Sequence, residues 1–254
     1  MNELENKASL IEAFHVLFLS FFGKKANKQA YALKGGCNLR FFFHSPRYSE
    51  DMDLDIQGIP VFSLQETVGA ILRSVSLAQA LALHRIRIEH ISEHKQSETT
   101  QRWKLGLWIP REDRPVPTKI EFSRRGFHGE PVFERIHPEI SNRYRIAPFM
   151  CPHYPGAIAC RQKIEALASR SVTQARDVFD LWLLGSDEPL RQARASLNPA
   201  QVASASRNLA SLSYDHFQSQ VIPYLSPDDQ HLYGSAEAWD RMQIELMDKL
   251  EPPL

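Results

Sequence analysis

The sequence predicts an α+β fold, a β-sheet flanked by helices and followed by a helical C-terminal part. Three observations carry this. Gly35-Gly36 stands between Tyr31-Ala32-Leu33 and a helix-like run, and Asp51-Met52-Asp53-Leu54-Asp55-Ile56 alternates with the period of a strand. Three later segments of strand-like composition then give way, from Gly156 onward, to apolar residues at helical spacing. At 254 residues the chain is long enough for a substantial core, and we place two domains in it, 1–150 and 151–254.

Taken in order, Leu10, Phe14, Leu17, Phe18 and Phe21 recur at helical spacing and predict a buried first helix that Gly23 ends before Lys24-Lys25. His15 falls inside this apolar run and reads as a core or boundary histidine. Asn38 to Phe43 forms the helix behind the glycine pair, packed through Phe41-Phe42-Phe43, and His44-Ser45-Pro46 ends it because proline restricts the residue before it. On the strand that follows, side chains two apart share a face at roughly 6.5–7 Å. Asp51, Asp53 and Asp55 therefore line one side, and Met52, Leu54 and Ile56 enter the core.

Val68, Ile71, Leu72, Val75 and Leu77 predict one amphipathic helix over 64–82. Strand-like segments at 85–91, 103–109 and 118–123, separated by polar links and by Pro115 and Pro117, predict an antiparallel meander. In the third, Ile120 and Phe122 share one face and Lys119, Glu121 and Ser123 the other, so Glu121 is a single carboxylate on a strand suited to lie beside the acidic one. Residues 126–155, rich in Pro, His and Arg, predict loop with short pieces of order. Next, Ile158, Ile164, Leu167 and Ala168 share a helix face, with Lys163 projecting elsewhere. Ser171 or Thr173 caps a helix over 175–184 that carries Asp177 and Asp180 and stops at Gly185. The last helix, Ala236 to Leu250, gathers Trp239, Met242, Leu246 and Leu250 on one side.

Composition narrows the function less than the motifs do. Thirty basic and thirty acidic residues balance, so nucleic-acid binding would have to rest on a local patch. Cys37, Cys151 and Cys160 lack the paired spacing of a zinc site or a disulfide framework, which fits a reducing cytosol and a packing role. The apolar run 13–22 is too short to span a bilayer, and Glu3 and Glu5 stand where a secretion signal carries basic charge, so no membrane role is expected.

Carboxylates crowded on one strand face repel each other unless a positive charge lies between them, and a divalent cation supplies it economically. A Gly-Gly turn opening a helix exposes backbone N–H groups suited to phosphate. With Glu121 as the third carboxylate, this set is what metal-dependent nucleotidyl transfer requires. The competing structural reading is an ordinary solvated strand face.

Leu33-Lys34-Gly35-Gly36-Cys37-Asn38-Leu39-Arg40, Arg47-Tyr48-Ser49-Glu50-Asp51-Met52-Asp53, Lys119-Ile120-Glu121, Lys163-Ile164-Glu165-Ala166-Leu167 with Arg170, and Arg176-Asp177-Val178-Phe179-Asp180-Leu181 together resemble the AbiEii/AbiGii nucleotidyltransferase-like toxin family, over residues 30 to 185. The resemblance implies a DNA polymerase β-like nucleotidyltransferase fold with a mixed sheet. In it, residues 1–150 form the catalytic domain with its N-terminal helix, and residues 151–254 form a helical domain that completes the nucleotide and acceptor cleft. It further implies that Lys34, Gly35 and Gly36 hold the triphosphate, that Ser49 adjoins the metal site, and that Asp51 and Asp53 are the metal-ligand pair. Glu121 matches the third acidic position, which helps deprotonate the acceptor, and Lys163 matches a lysine that neutralises phosphate charge. Asp177 and Asp180 match the family's acidic pair on the nucleotide side; the structural alternative is a helix-dipole role or pairing with Arg170 or Arg176. The wider superfamily has Gly-Ser where this chain has Gly35-Gly36, which removes a hydroxyl.

The expected reaction is transfer of NMP from an NTP to an acceptor hydroxyl, with Mg²⁺ as cofactor and Mn²⁺ as the alternative ion. By resemblance the acceptor is RNA, tRNA at its 3′ end being favoured, and the setting is a cytoplasmic toxin with a separately encoded antitoxin. Arg124, Arg125, Arg143, Arg145 and Arg161 are candidate backbone contacts. The rivals are transfer to a protein or small-molecule hydroxyl, and an inactive RNA- or partner-binding module.

Overall fold

The computed structural model describes residues 6–251, so Glu3 and Glu5 lie outside the described residues. The chain divides into two compact units, the first comprising residues up to 42 and 48–154, the second residues 43–47 and 155 onward.

The first unit runs α1 (Lys7–Lys25), β1 (Tyr31–Lys34), α2 (Gly35–Phe42), β2 (Met52–Ile56), α3 (Val61–Leu72), α4 (Val75–Ala82), β3 (Arg87–Gln96), β4 (Thr100–Trp108), β5 (Val116–Ser123), β6 (Val132–Arg135), α5 (Pro138–Arg143) and β7 (Met150–His153). Among the described residues, its strands form one seven-stranded mixed sheet in the order β3-β4-β5-β2-β1-β7-β6. The β3-β4-β5 meander is antiparallel, as expected, and β5 then pairs parallel with β2. β1 pairs antiparallel with β2 and parallel with β7.

α1 is buried nearly all round, as an interior helix with apolar residues on every side must be. Phe14, Phe18 and Phe22 stack along it, and Phe22 reaches Tyr31 of β1 and Phe122 of β5 at ring separations of 5.0 and 5.2 Å. The helix thus lies across the central strands, with α3 and α4 against it. Gly23 does not end it. The helix continues to Lys25, because Lys24 and Lys25 favour the C-terminal dipole and Gly23 leaves room for Tyr31 Oη and Lys28 Nζ, each 3.2 Å from where a Cβ would stand.

One other expectation is corrected and one is given definite elements. The single helix over 64–82 is two helices, because the Ser74 hydroxyl caps a new one by accepting from the Leu77 N–H at 3.2 Å. The stretch 126–155 contributes strands β6 and β7 and helix α5, with β7 completing the sheet beside β1.

The second unit is helical: α6 (Gly156–Ser169), α7 (Ala175–Leu184), α8 (Asp187–Ala195), α9 (Pro199–Ala210), α10 (Tyr214–Gln220), α11 (Pro227–Tyr233) and α12 (Ala236–Leu250), with a 3₁₀ turn at Ile222–Tyr224. α6 packs on α7, α8 and α9, and α12 covers α7 and α9 with Trp239, Met242, Leu246 and Leu250 buried. Phe217 stacks on Trp239 at 4.8 Å and meets Phe179 of α7 in a tilted pair at 5.9 Å. Neither Ser171 nor Thr173 caps α7. Its first N–H, of Ala175, is met instead by the Gln220 side-chain carbonyl of α10 at 2.7 Å, a long-range partner that makes a local cap unnecessary. Among the described residues, no helix is long and apolar enough to cross a membrane.

Candidate active site

Strand register assembles the first unit's site. Lys34 on β1 stands opposite Asp53 on β2, Asp53 opposite Glu121 on β5, and Glu121 opposite Arg102 on β4. Neighbouring strands lie about 4.8 Å apart and paired residues point to the same face, so these four side chains form one row across four strands. The opposite face at the next position is hydrocarbon, with Met52, Ile120 and Trp103 all buried. Glu121 therefore lies directly beside the acidic strand.

The row alternates in sign only in part. Arg102 Nε lies 2.6 Å from Glu121 Oε2, and Lys119 Nζ lies 2.7 Å from Asp51 Oδ2. Lys34 reaches diagonally to Asp55, 2.5 Å from Oδ1, and Tyr154 donates its hydroxyl to the other Asp55 oxygen at 2.6 Å. Asp55 is fully buried by this arrangement, so the expected ledge of three equivalent carboxylates is corrected to Asp51 and Asp53 with Asp55 closed off. Asp53 sits between cations without a direct ion pair among the described residues. Burial pushes its carboxyl above the usual range, Lys119 and Lys34 pull it back, and the charges of Glu121 and Asp51 raise it again. A half-buried carboxylate flanked by two others with hard oxygens is a donor set that fits a divalent cation such as Mg²⁺.

Gly35 opens α2 at φ +65°, where a side chain is strained, and a Cβ there would lie 3.0 Å from Asp53 Oδ2. The glycine turn and the Asp53 carboxylate thus touch. Gly35→Ala is expected to cost roughly 1–2 kcal/mol from the left-handed backbone alone, about 2–8 °C in melting temperature, and to displace Asp53. A thermal melt with a nucleotidyl-transfer assay checks this; an alanine variant of unchanged stability and activity would remove the close approach from the argument. Gly36 follows within the first turn of α2. Ser49 donates its hydroxyl to the Asp51 carbonyl at 2.8 Å.

In the second unit, Lys163 of α6 stands 2.9 Å from Asp177 Oδ1 and 2.6 Å from Asp180 Oδ2 of α7. Arg170 pairs with the other Asp177 oxygen at 3.1 Å, one of the pairings the sequence left open, and Arg47 holds Asp180 through Nε at 2.9 Å and Nη2 at 2.7 Å. Burial would lift the Asp180 carboxyl, but Arg47 and Lys163 outweigh it and hold it at about 2. Of the arginines considered for nucleic acid, Arg124 is bound to Gln101 and the Ile59 carbonyl, Arg143 to the Tyr48 hydroxyl and Arg161 to Glu165.

Sequence reasoning gave no role to Lys119, Arg102, Tyr154 or Arg47, although Lys119 and Arg47 stand within the motifs that carry the resemblance. Lys119 was within reach, since it shares its strand face with Glu121; the others meet their partners only through the fold.

Comparison with known proteins adds identity to this geometry. No curated protein sequence matches the chain. Among solved structures, MenT4, a nucleotidyltransferase toxin from Mycobacterium tuberculosis, superposes with a TM-score of 0.67 at 17% identity, over 96% of this chain and 83% of its own. JHP933 from Helicobacter pylori superposes with a TM-score of 0.61 at 18% identity, over 98% and 95%. A putative nucleotidyltransferase from H. pylori gives 0.59 at 16%, over 98% and 100%. These likenesses establish a shared fold. The family of the nucleotidyl transferase AbiEii toxin of type IV toxin–antitoxin systems matches residues 17–253, nearly the whole chain, and the protein belongs to that family of nucleotidyltransferase toxins.

Proposed function

We propose that the protein transfers NMP from an NTP to the 3′ end of tRNA in a Mg²⁺-dependent reaction in the cytoplasm, restrained by a separately encoded antitoxin. The observation that supports the chemistry is the row Lys34–Asp53–Glu121 in contact with the Gly35 turn, a backbone suited to phosphate within one side chain of carboxylates suited to a divalent ion; the tRNA acceptor and the antitoxin follow the family.

Asp51, Asp53 and Glu121 would hold the metal, with Mn²⁺ able to replace Mg²⁺. A bound metal supplies charge stabilisation for phosphoryl oxygens and acidifies a coordinated hydroxyl. The residues themselves do the positioning. The N–H groups of Gly35 and Gly36 face the triphosphate, Lys34 adds positive charge near it while anchored on Asp55, and Glu121 lies where it accepts the acceptor's proton. Ser49 fixes the turn that carries Asp51.

The test is incubation with each labelled NTP, Mg²⁺ and total cellular RNA. Label in a tRNA-sized band, lost with chelator and in Asp51→Ala, is the expected result. Label in protein would transfer the assignment to a protein hydroxyl, and no label from folded protein in any fraction would favour an RNA-binding module without chemistry.

A further inference from the structure

The sheet fixes Asp53 but not Asp51. Ladder pairing between β2 and β5 begins at Met52, opposite Ile120, so the Glu50 and Asp51 carbonyls lie beyond the ladder and must find donors elsewhere. They find them in buried side chains of β5 and α2 and in the Ser49 hydroxyl of the turn itself. Thr118 of β5 donates its hydroxyl to the Glu50 carbonyl at 2.7 Å. Cys37 of α2 reaches the Asp51 carbonyl at 3.3 Å, beside the Ser49 hydroxyl. Behind both stands His15 of α1, 1% exposed, with Nε2 2.8 Å from Thr118 Oγ1 and Nδ1 3.6 Å from Cys37 Sγ.

The proton inventory fixes the arrangement. Thr118 has one hydroxyl proton, and it is given to Glu50; the 2.8 Å contact therefore requires His15 to donate from Nε2, leaving Nδ1 as a lone pair turned to the thiol, whose one proton goes either to that lone pair or to the Asp51 carbonyl that Ser49 also serves. We infer that His15, Thr118 and Cys37 are positioning residues of the active site: a buried hydrogen-bond relay, running from α1 to the 49–51 turn, that sets the height of the Asp51 carboxylate. This rests on the assignment of Asp51 and Asp53 as metal-binding carboxylates.

The electrostatics agree. Burial holds the imidazole neutral, with its titration pushed down to about 3, so it keeps the single proton that the arrangement needs. An imidazole buried among hydrocarbon is costly unless its nitrogens are bonded, and here the bonding leads to the acidic turn.

The test uses the full chain and Mn²⁺ as probe, followed by electron paramagnetic resonance without nucleotide, in Thr118→Val, Thr118→Ser and Asp53→Ala. Valine keeps the shape of threonine and removes the donor; serine keeps the donor. Groups that orient metal ligands are typically worth 10–100-fold in affinity, so Thr118→Val is expected to weaken Mn²⁺ binding about tenfold or more, with Thr118→Ser within about threefold of wild type. Imidazole ¹⁵N shifts of the metal-free protein are expected to report His15 protonated on Nε2 from pH 5 to 8, and to lose that preference in Thr118→Val. Wild-type Mn²⁺ affinity in Thr118→Val, or a proton on Nδ1 in the wild type, would reduce the relay to packing. Unchanged Mn²⁺ binding in Asp53→Ala would instead overturn the metal assignment itself, and the relay's role with it.

Discussion

Asp53→Asn is expected to abolish nucleotidyl transfer while making the metal-free protein more stable. Asparagine keeps the size of the side chain and one of its oxygens, but removes the charge that a divalent ion would neutralise. Electrostatic stabilisation of that kind is worth several kcal/mol, so kcat should fall by about 10³ or more. Stability should move the other way. Asp53 is the carboxylate of the row without a direct cationic partner, it is desolvated, and it stands between Asp51 and Glu121, whose charges act against its own. Removing that repulsion should raise the melting temperature by a few degrees, at about 2–4 °C per kcal/mol for a chain of this size. Mn²⁺ should reverse the order, because only the wild type gains from binding. An Asn variant that melts lower without metal, or retains transfer, would mean that Asp53 is an ordinary strand residue.

How this site is written in the sequence differs from residue to residue. Asp53 and Glu121 were legible because strand alternation is a local signal: Met52, Leu54, Ile120 and Phe122 are apolar, and the intervening carboxylates must then face the other way. That the two strands lie side by side and parallel is a property of topology, which alternation does not encode. β7 was missed because it has four residues, one of them Pro152, and pairs with β1 more than a hundred positions away. The same alternation overstated Asp55. Its spacing is that of a ligand, but Tyr154 and Lys34 enclose it, and neither partner is announced by sequence distance. The relay behind Asp51 shows the limit most plainly, since His15 read as a core histidine and is one, yet its hydrogen bond spans 103 positions to Thr118.

Asp180→Asn should have the largest effect on the second unit. Asp180 is fully buried and accepts two hydrogen bonds from Arg47 and one from Lys163, so neutralising it leaves two buried cations facing the remaining charge of Asp177. Breaking a buried ion network by removing one member costs about 3–5 kcal/mol, on the order of 10 °C in melting temperature. The pH dependence follows from the same pair of cations. Held at about 2 in the folded chain against an ordinary value near 4, the Asp180 carboxyl contributes stability that is fully present above the unfolded value and is lost as pH falls from about 4 through about 2. The contribution is about 2–3 kcal/mol at neutral pH. Urea melts between pH 7 and pH 2.5 should show wild-type stability falling over that interval, and the Asn variant should lack that part of the slope. Lys163→Met supplies the complement. It removes one cation and leaves Asp180 with Arg47, so its loss should be smaller than that of Asp180→Asn, provided Arg47 is the stronger holder, as its two bonds indicate. If Asp180→Asn melts with the wild type and keeps its acid slope, the network contributes no net stability. The reason for burying Arg47, Lys163, Asp177 and Asp180 together would then have to be sought in nucleotide handling, the role that the family resemblance gives to Lys163, Asp177 and Asp180.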